Sequence, residues 1–273
     1  MLTFPNIDPV AFSVGPLTVH WYGLTYLASF ALIWWLALRR AGQSGSPVKP
    51  AQIEDIIFYG AIGVIVGGRL GSAIFYNLER LLSDPLWLFR LWEGGMAFHG
   101  GLIGVTLAMW ICSRRRNIHF LSMMDFASPL VPIGLFFGRL GNFIGQELWG
   151  RPTEGWWGMV FPNDPLQLPR HASQLYEAVL EGVALFVILN LVRERATKRG
   201  MLSALFLIFY AVFRFVVEFA REPDAHIEFL LFGWMTRGQI LCIPMLILGL
   251  AVLLYAIVFS PENTSSKRVN SKK

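Results

Sequence analysis

The stretch HFLSMMDFASPLVPIGLFFGRLGNFIGQELWGRP, residues 119–152, decides the fold. Its first twenty residues are apolar enough for a helix that crosses a bilayer, which takes about 20 such residues. Arg139, Asn142, Gln146 and Glu147 then appear where such a helix should still be in lipid or just leaving it. Gly138, Gly141, Gly145 and Gly150 are threaded among them. The segment therefore reads as a membrane span that carries polar groups for a purpose.

The rest of the chain supports a membrane setting. Of 273 residues, 55% are hydrophobic and 15% charged, with a mean hydropathy of +0.52, more apolar surface than a soluble fold of this size hides. Cys112 and Cys242 both sit in apolar runs and form neither a disulfide framework nor a metal-ligand spacing. The first sixteen residues lack Lys, Arg and the apolar core of a signal peptide, so the first span is expected to remain in the mature protein.

Seven apolar segments follow, near 17–38, 53–76, 96–113, 120–143, 173–192, 201–220 and 238–260. The fold class expected is all-α, a polytopic membrane protein of about seven helices. Fourteen of the 23 basic residues fall in one alternating set of loops and the C-terminal tail, from Arg39, Arg40 and Lys49 to Lys272 and Lys273. The opposite loops dilute six arginines with acids such as Glu79, Asp84, Glu147 and Glu154. By the positive-inside rule the N-terminus lies outside and the C-terminus in the cytoplasm. The net charge of +5 thus sorts by loop and calls for no nucleic-acid partner. One transmembrane catalytic domain is expected over 1–260, with a polar cytoplasmic tail over 261–273. The outer loop 144–172, rich in Trp and Pro, is expected at the membrane interface, where Trp concentrates.

Arg69, Arg139 and Arg214 remain inside spans. Each costs about 2.5–3.5 kcal/mol at a helix centre on the insertion scale, so each calls for a partner or a use. Arg69, in GVIVGGRLGSAIFY, reads equally as a snorkelling residue among close-packed glycines or as an anion contact. In YAVFRFVVEFAR, Tyr210, Arg214, Glu218 and Arg221 share one helical face. That face is either a self-neutralised structural pair or a binding stripe. Around Arg139 the glycines suit helix packing, with Asn142 as glue between helices, or the close approach of a ligand. His20, His99 and His171 fall at outer span ends, as solvated caps or as members of a site. Glu177 and Glu181, one turn apart, are a counter-charge or pairs for their neighbours.

Two guanidiniums at headgroup depth suit a phosphodiester, because arginine grips phosphate through a planar fork. Neutral His99 is the candidate general base. No HExxH, no GxSxG and no cysteine nucleophile in a polar setting is present, and no cofactor or metal motif.

The runs GRLGNFIGQELWGR (138–151), FHGGLIG (98–104), HASQLYE (171–177) and YAVFRFVVEFAR (210–221) resemble the bacterial prolipoprotein diacylglyceryl transferases. The likeness runs in order along nearly the whole chain. Arg139, Asn142, Glu147 and Gly150 match the family pattern; Gly145 departs from it, standing where the family usually has a second Asn. The resemblance implies transfer of the diacylglyceryl group of phosphatidylglycerol to the lipobox cysteine of a preprolipoprotein, in the bacterial inner membrane, with release of glycerol phosphate. It implies His99 as base and Arg139 and Arg214 on the lipid phosphate. Tyr22, Asn142, Glu147, Gly150, Tyr210, Glu218 and Arg221 would bind substrate, with His20, Arg69 and His171 in support. No cofactor is implied. A transporter or anion pathway built on the same arginines is the rival class, and it predicts polar residues continuing through the bilayer. A seven-helix retinal protein is excluded, since no span carries a lysine for a Schiff base.

Overall fold

The computed structural model describes residues 1–5, 7–15, 17–222 and 233–260, without the side chains of Leu17, Trp92, Phe98 and His99. The polar tail at 261–273 and the outer-loop acids Asp224 and Glu228, expected with those at Glu79 and Asp84 to offset arginines on that side, lie outside the described residues. The chain divides into two compact units, Ala37–Phe126 and the remainder, Met1–Leu36 with Ala127–Lys273.

Each of the seven apolar segments contains a helix. These are α1 (Trp21–Ala41), α2 (Ile53–Phe75), α4 (Phe98–Arg115), the pair α5 (Phe120–Ala127) and α6 (Val131–Ile144), α7 (Ser173–Val192), α8 (Met201–Val217) and α9 (Arg237–Phe259). A short α3 (Leu78–Ser83) lies between α2 and α4. Four of the helices, α1, α2, α7 and α9, are long and apolar enough to cross a membrane alone, and the α5/α6 pair makes a fifth if counted as one. The expected span 120–143 is thus broken at Ser128, Pro129 and Leu130, because Pro129 and Pro132 cannot donate to a helical ladder. The helix at 201–220 is shorter than expected, and α4 is diluted by His99 and its glycines.

The all-α expectation also missed some sheet. An N-terminal hairpin pairs β1 (Val10–Val14) with β2 (Leu17–His20), turning at Gly15 with φ +61°. A three-stranded sheet joins Leu2–Thr3 to Met159–Val160 and Pro169–Arg170. Its two-residue strands are too short for an alternation pattern to mark them.

In the unit Ala37–Phe126, α2 and α4 pack almost backbone to backbone through Gly63, Gly67 and Gly71 on one side and Gly100 and Gly104 on the other. A methyl group on Gly104 would lie 2.6 Å from the Gly67 Cα, and one on Gly71 would lie 2.6 Å from the Gly100 Cα. Such contact lets dispersion forces and close carbonyl approach hold helices that lipid does not push together. Arg69 is 2% exposed, so it does not snorkel. It donates from Nε to the Leu88 carbonyl at 3.0 Å and from its terminal nitrogens to the carbonyls of Trp87, Arg90, Gly94 and Gly95. Its guanidinium carbon lies 4.0 Å from the centre of the Trp87 ring. The arginine is a clamp for the segment after α3, with its donors spent on backbone oxygens.

In the other unit, Leu185 and Leu189 of α7 and Tyr210 of α8 form an apolar core with Leu135, Phe206, Phe209, Phe213 and Met245. Phe4, Phe143, Met159, Phe161 and Ala172 form a second cluster beneath Trp149. Loop 144–172 is therefore a folded cap.

Substituting Gly104 by Ala should lower unfolding stability in detergent by about 1–3 kcal/mol, the usual cost of overpacking. Gly60→Ala, on α2 and with nothing within 4 Å, should be neutral or stabilising by about 0.4–1 kcal/mol. Thermal unfolding of the two variants side by side checks the opposite signs.

Candidate active site

Six expected residues, Arg139, Asn142, Glu147, Arg214, Glu218 and Arg221, belong to a network built by α6, α7 and α8. Its centre is a residue whose role the sequence left open, Glu177. Oε2 of Glu177 pairs with Arg139 Nε, and Oε1 accepts from Arg214 at 2.7 Å and from Arg221 at 3.1 Å. Three guanidiniums from two helices and a helix end thus meet one buried carboxylate. Arg214 also pairs with Glu218 at 2.7 Å. Glu218 in turn accepts a hydrogen bond from Thr236 Oγ1 at 2.8 Å. Thr236 caps α9 in a reciprocal box with Gln239, so the start of α9 is tied to the same cluster.

The helix that carries Glu177 widens into a π-helical stretch directly after it, Ala178–Ala184. Such interruptions recur at functional sites. This one contains Glu181, 0% exposed, with neither oxygen hydrogen-bonded and its nearest partner, Arg214, at 3.8 Å. Gly182 lets α6 press against the stretch, since a methyl group there would lie 2.7 Å from the Phe136 Cβ.

From Arg139 a polar chain leads away from the centre. Arg139 donates to Asn142 Oδ1 at 3.4 Å, and Asn142 Nδ2 donates to Glu147 Oε2 at 3.4 Å. Glu147 sits in a tight bend, with Gln146 at φ +54° and Leu148 at φ +58° on either side. Non-glycine residues held in this region cost about 1–3 kcal/mol each and persist only where surroundings over-determine them. Here Gln174 donates to the Glu147 carbonyl at 2.6 Å, Ser173 to the Leu148 carbonyl at 3.0 Å, and Gln146 accepts from the Asn163 amide at 3.0 Å. Beyond Glu147 opens a cavity of about 380 Å³ lined by Pro9, His20, Tyr22, Ile144, Gly145 and Glu147. The Tyr22 hydroxyl lies 3.1 Å from that of Tyr26, and its ring packs where Gly141 has no side chain.

Other expected members have different surroundings. Gly150 is a backbone joint: its amide donates to the His171 carbonyl at 2.8 Å, and a methyl group there would collide with the Ala220 carbonyl. His171 shares a hydrogen bond with the Tyr176 hydroxyl at 3.2 Å, and burial holds its imidazole below the usual value. Tyr210 sits in the apolar core, stacked 5.8 Å from Phe206. Arg69 and His99 belong to the other unit; His99 is in the first turn of α4, and its side chain lies outside the described residues. Among the described residues no three His, Cys, Asp or Glu gather to hold a metal ion.

The cap is fastened to this network. Arg170 pairs with Asp164 at 2.6 Å, the latter 1% exposed, and reaches Glu222 at 3.4 Å. Burial alone would push the Asp164 carboxyl up. The Arg170 hydrogen bond and the amides of Leu166 and Leu168 outweigh it and hold the carboxyl below its ordinary 3.8. Arg151 donates through Nε to the Arg221 carbonyl at 2.8 Å.

Chemically, the cluster is a set of guanidiniums aligned by a buried carboxylate, so their geometry need not be assembled when charge develops beside them.

The model of the family described as prolipoprotein diacylglyceryl transferase matches residues 9–255. A phosphatidylglycerol–prolipoprotein diacylglyceryl transferase of Marinomonas sp. is 52% identical over 269 residues, covering 98% of this chain and all of the relative. The proteins of the same name from Methylococcus capsulatus and Teredinibacter turnerae are 56% identical over 254 residues and 54% over 266 residues. They cover 93% and 94% of this chain, and 97% and 93% of their own lengths.

Asp164→Asn should destabilise the protein by about 3–5 kcal/mol, because it leaves the buried Arg170 without its carboxylate. Since the folded state lowers this carboxyl, its stabilisation is full above pH 3.8 and fades as pH falls below it. Unfolding midpoints of both proteins from pH 7 to pH 3 should therefore converge at the acid end.

Proposed function

The chain belongs to the prolipoprotein diacylglyceryl transferase family, and on that premise we propose that it transfers the diacylglyceryl group of phosphatidylglycerol to the thiol of a lipobox cysteine. The observation that carries this reading is the meeting of Arg139, Arg214 and Arg221 on Glu177. The reaction is a displacement at carbon. The cysteine sulfur bonds to the glyceryl carbon that carried the phosphate, the carbon–oxygen bond breaks, and its electron pair leaves on glycerol phosphate.

Two needs follow from that bond change. A free thiol with a pKa near 8.5 is only about 3 per cent thiolate at pH 7, so a base that takes its proton raises the rate. His99 is assigned that role from the FHGGLIG run. The departing phosphate passes from one negative charge to two, so donors that hold it more tightly in the transition state lower the barrier. Arg139 and Arg214 meet this need, with Glu177 fixing their orientation and Arg221 completing the fork. Asn142 and Glu147 continue the polar path, and Tyr22, His20, Tyr210, Glu218, Gly150 and His171 shape or brace it. Arg69 contributes through the segment it clamps.

In this reading the chain is one catalytic domain of seven spans over 1–260 in the bacterial inner membrane. Its N-terminus and cap face outward, and the 261–273 tail is cytoplasmic. The alternation of basic loops supports that orientation.

Reconstitution with phosphatidylglycerol and a lipobox peptide tests the assignment. Arg139→Ala should slow transfer by about 10²–10³-fold, as for other transition-state donors, and Arg139→Lys should recover only part because a point charge lacks the fork. His99→Gln should slow transfer by about 10²–10⁴-fold. Normal rates for Arg139→Ala or His99→Gln would refute the corresponding role.

A further inference from the structure

Glu181 is a buried carboxyl group that the displacement at carbon does not use. It lies in the π-helical stretch Ala178–Ala184, one turn beyond Glu177, and is 0% exposed. Neither of its oxygens receives a hydrogen bond from a protein group. Among the described residues its one ion-pair contact is Arg214, whose Nη1 stands 3.8 Å from Oε1 of Glu181 but 2.7 Å from Oε1 of Glu177. The other terminal nitrogen of Arg214 holds Glu218 at 2.7 Å. Both ends of this guanidinium already have a carboxylate.

An ionised carboxylate closed off from water and without hydrogen bonds is costly, and such a group takes up a proton instead. The charged and titratable groups around Glu181 are Glu177 on its own helix, Arg139 from α6, Tyr210 and Arg214 from α8 with Glu218 and Arg221 at its end, and Cys242 from α9. The arginines favour a charge on Glu181, but all three contact Glu177 and only Arg214 reaches Glu181, at the longer distance. A charge there would also compete for Arg214 with any phosphate that approaches it.

We propose that Glu181 stands in the cluster as a neutral acid, and that its neutrality keeps Arg214 available to the donor phosphate. Glu181 is then a positioning residue, which acts through Arg214 and does not touch the lipid. The inference rests on the phosphate role proposed for Arg214. It fixes a sign: loss of the Glu181 proton at higher pH weakens donor binding, whereas a side chain of the same shape that cannot ionise leaves binding intact.

The test uses the full chain in vesicles of phosphatidylglycerol and a neutral phospholipid. Infrared difference spectra near neutral pH should show the carbonyl stretch of a protonated carboxylic acid in wild type and not in Glu181→Gln. Glu181→Asp, which keeps the acid, should retain the band at a shifted frequency, and it carries the assignment if Glu181→Gln does not fold. With a lipobox peptide added, the wild-type KM for phosphatidylglycerol should rise about 5–150-fold, the usual range of coupling between two sites, over the alkaline range in which the band is lost. Glu181→Gln should keep its neutral-pH KM across that range. A band that persists unshifted in the variants, a KM raised about tenfold by Glu181→Gln at neutral pH, or the same pH dependence in both proteins overturns the proposal. Absence of transfer by wild type while the band is present would instead refute the proposed function, so the two failures are distinct.

Discussion

Glu177 is the residue on which the rest of this structure depends. A carboxylate buried at the start of α7 would be intolerable in a low-dielectric interior unless it were paired, and so would each of the three arginines around it. Pairing solves both problems at once. It also couples elements far apart in sequence: Arg139 within α6, Arg214 within α8 and Arg221 just beyond it. Because removing one partner strands the others, the cluster holds its geometry more strictly than an apolar contact would.

That strictness is what the proposed phosphate-binding role needs. Guanidiniums in water must lose rotamer freedom and hydration when they grip phosphate, whereas these are already oriented and partly dehydrated. The same network reaches outward in three directions. Glu218 and Thr236 carry it to α9, Arg151 carries it to the cap, and Asn142 carries it to the strained bend around Glu147. The cap is fixed in turn by the buried Arg170–Asp164 pair. The arginine cluster and a neighbouring cavity therefore share one scaffold.

The residues also show that intramembrane arginines are not of one kind. Arg69 and Arg139 look alike in the sequence, each in a glycine-rich apolar run. Arg69 spends its donors on five backbone carbonyls of one segment, a structural fastening. Arg139 faces a carboxylate and an amide side chain carried by other positions of the polar network. Residue type and local pattern could not separate these roles, because the difference lies in which loop folds back over the guanidinium.

The amino-acid sequence by itself determined that this is a helical membrane protein and where its apolar helices lie, and it marked the arginines of GRLGN and YAVFRF as candidates for a site. These follow from local physics, from the length and hydropathy of each run, and from the expense of a charge in lipid. Only the tertiary structure decided that Glu177 is the hub, that 120–143 is broken in two, that loop 144–172 is a folded cap, and that Gly145 lines a cavity. The hub, the cap and the cavity depend on contacts between residues distant in the chain: Glu177 to Arg214, Gln174 to the Glu147 carbonyl, Pro9 beside Glu147. Periodicity along one segment records which face is buried, but not which partner it is buried against.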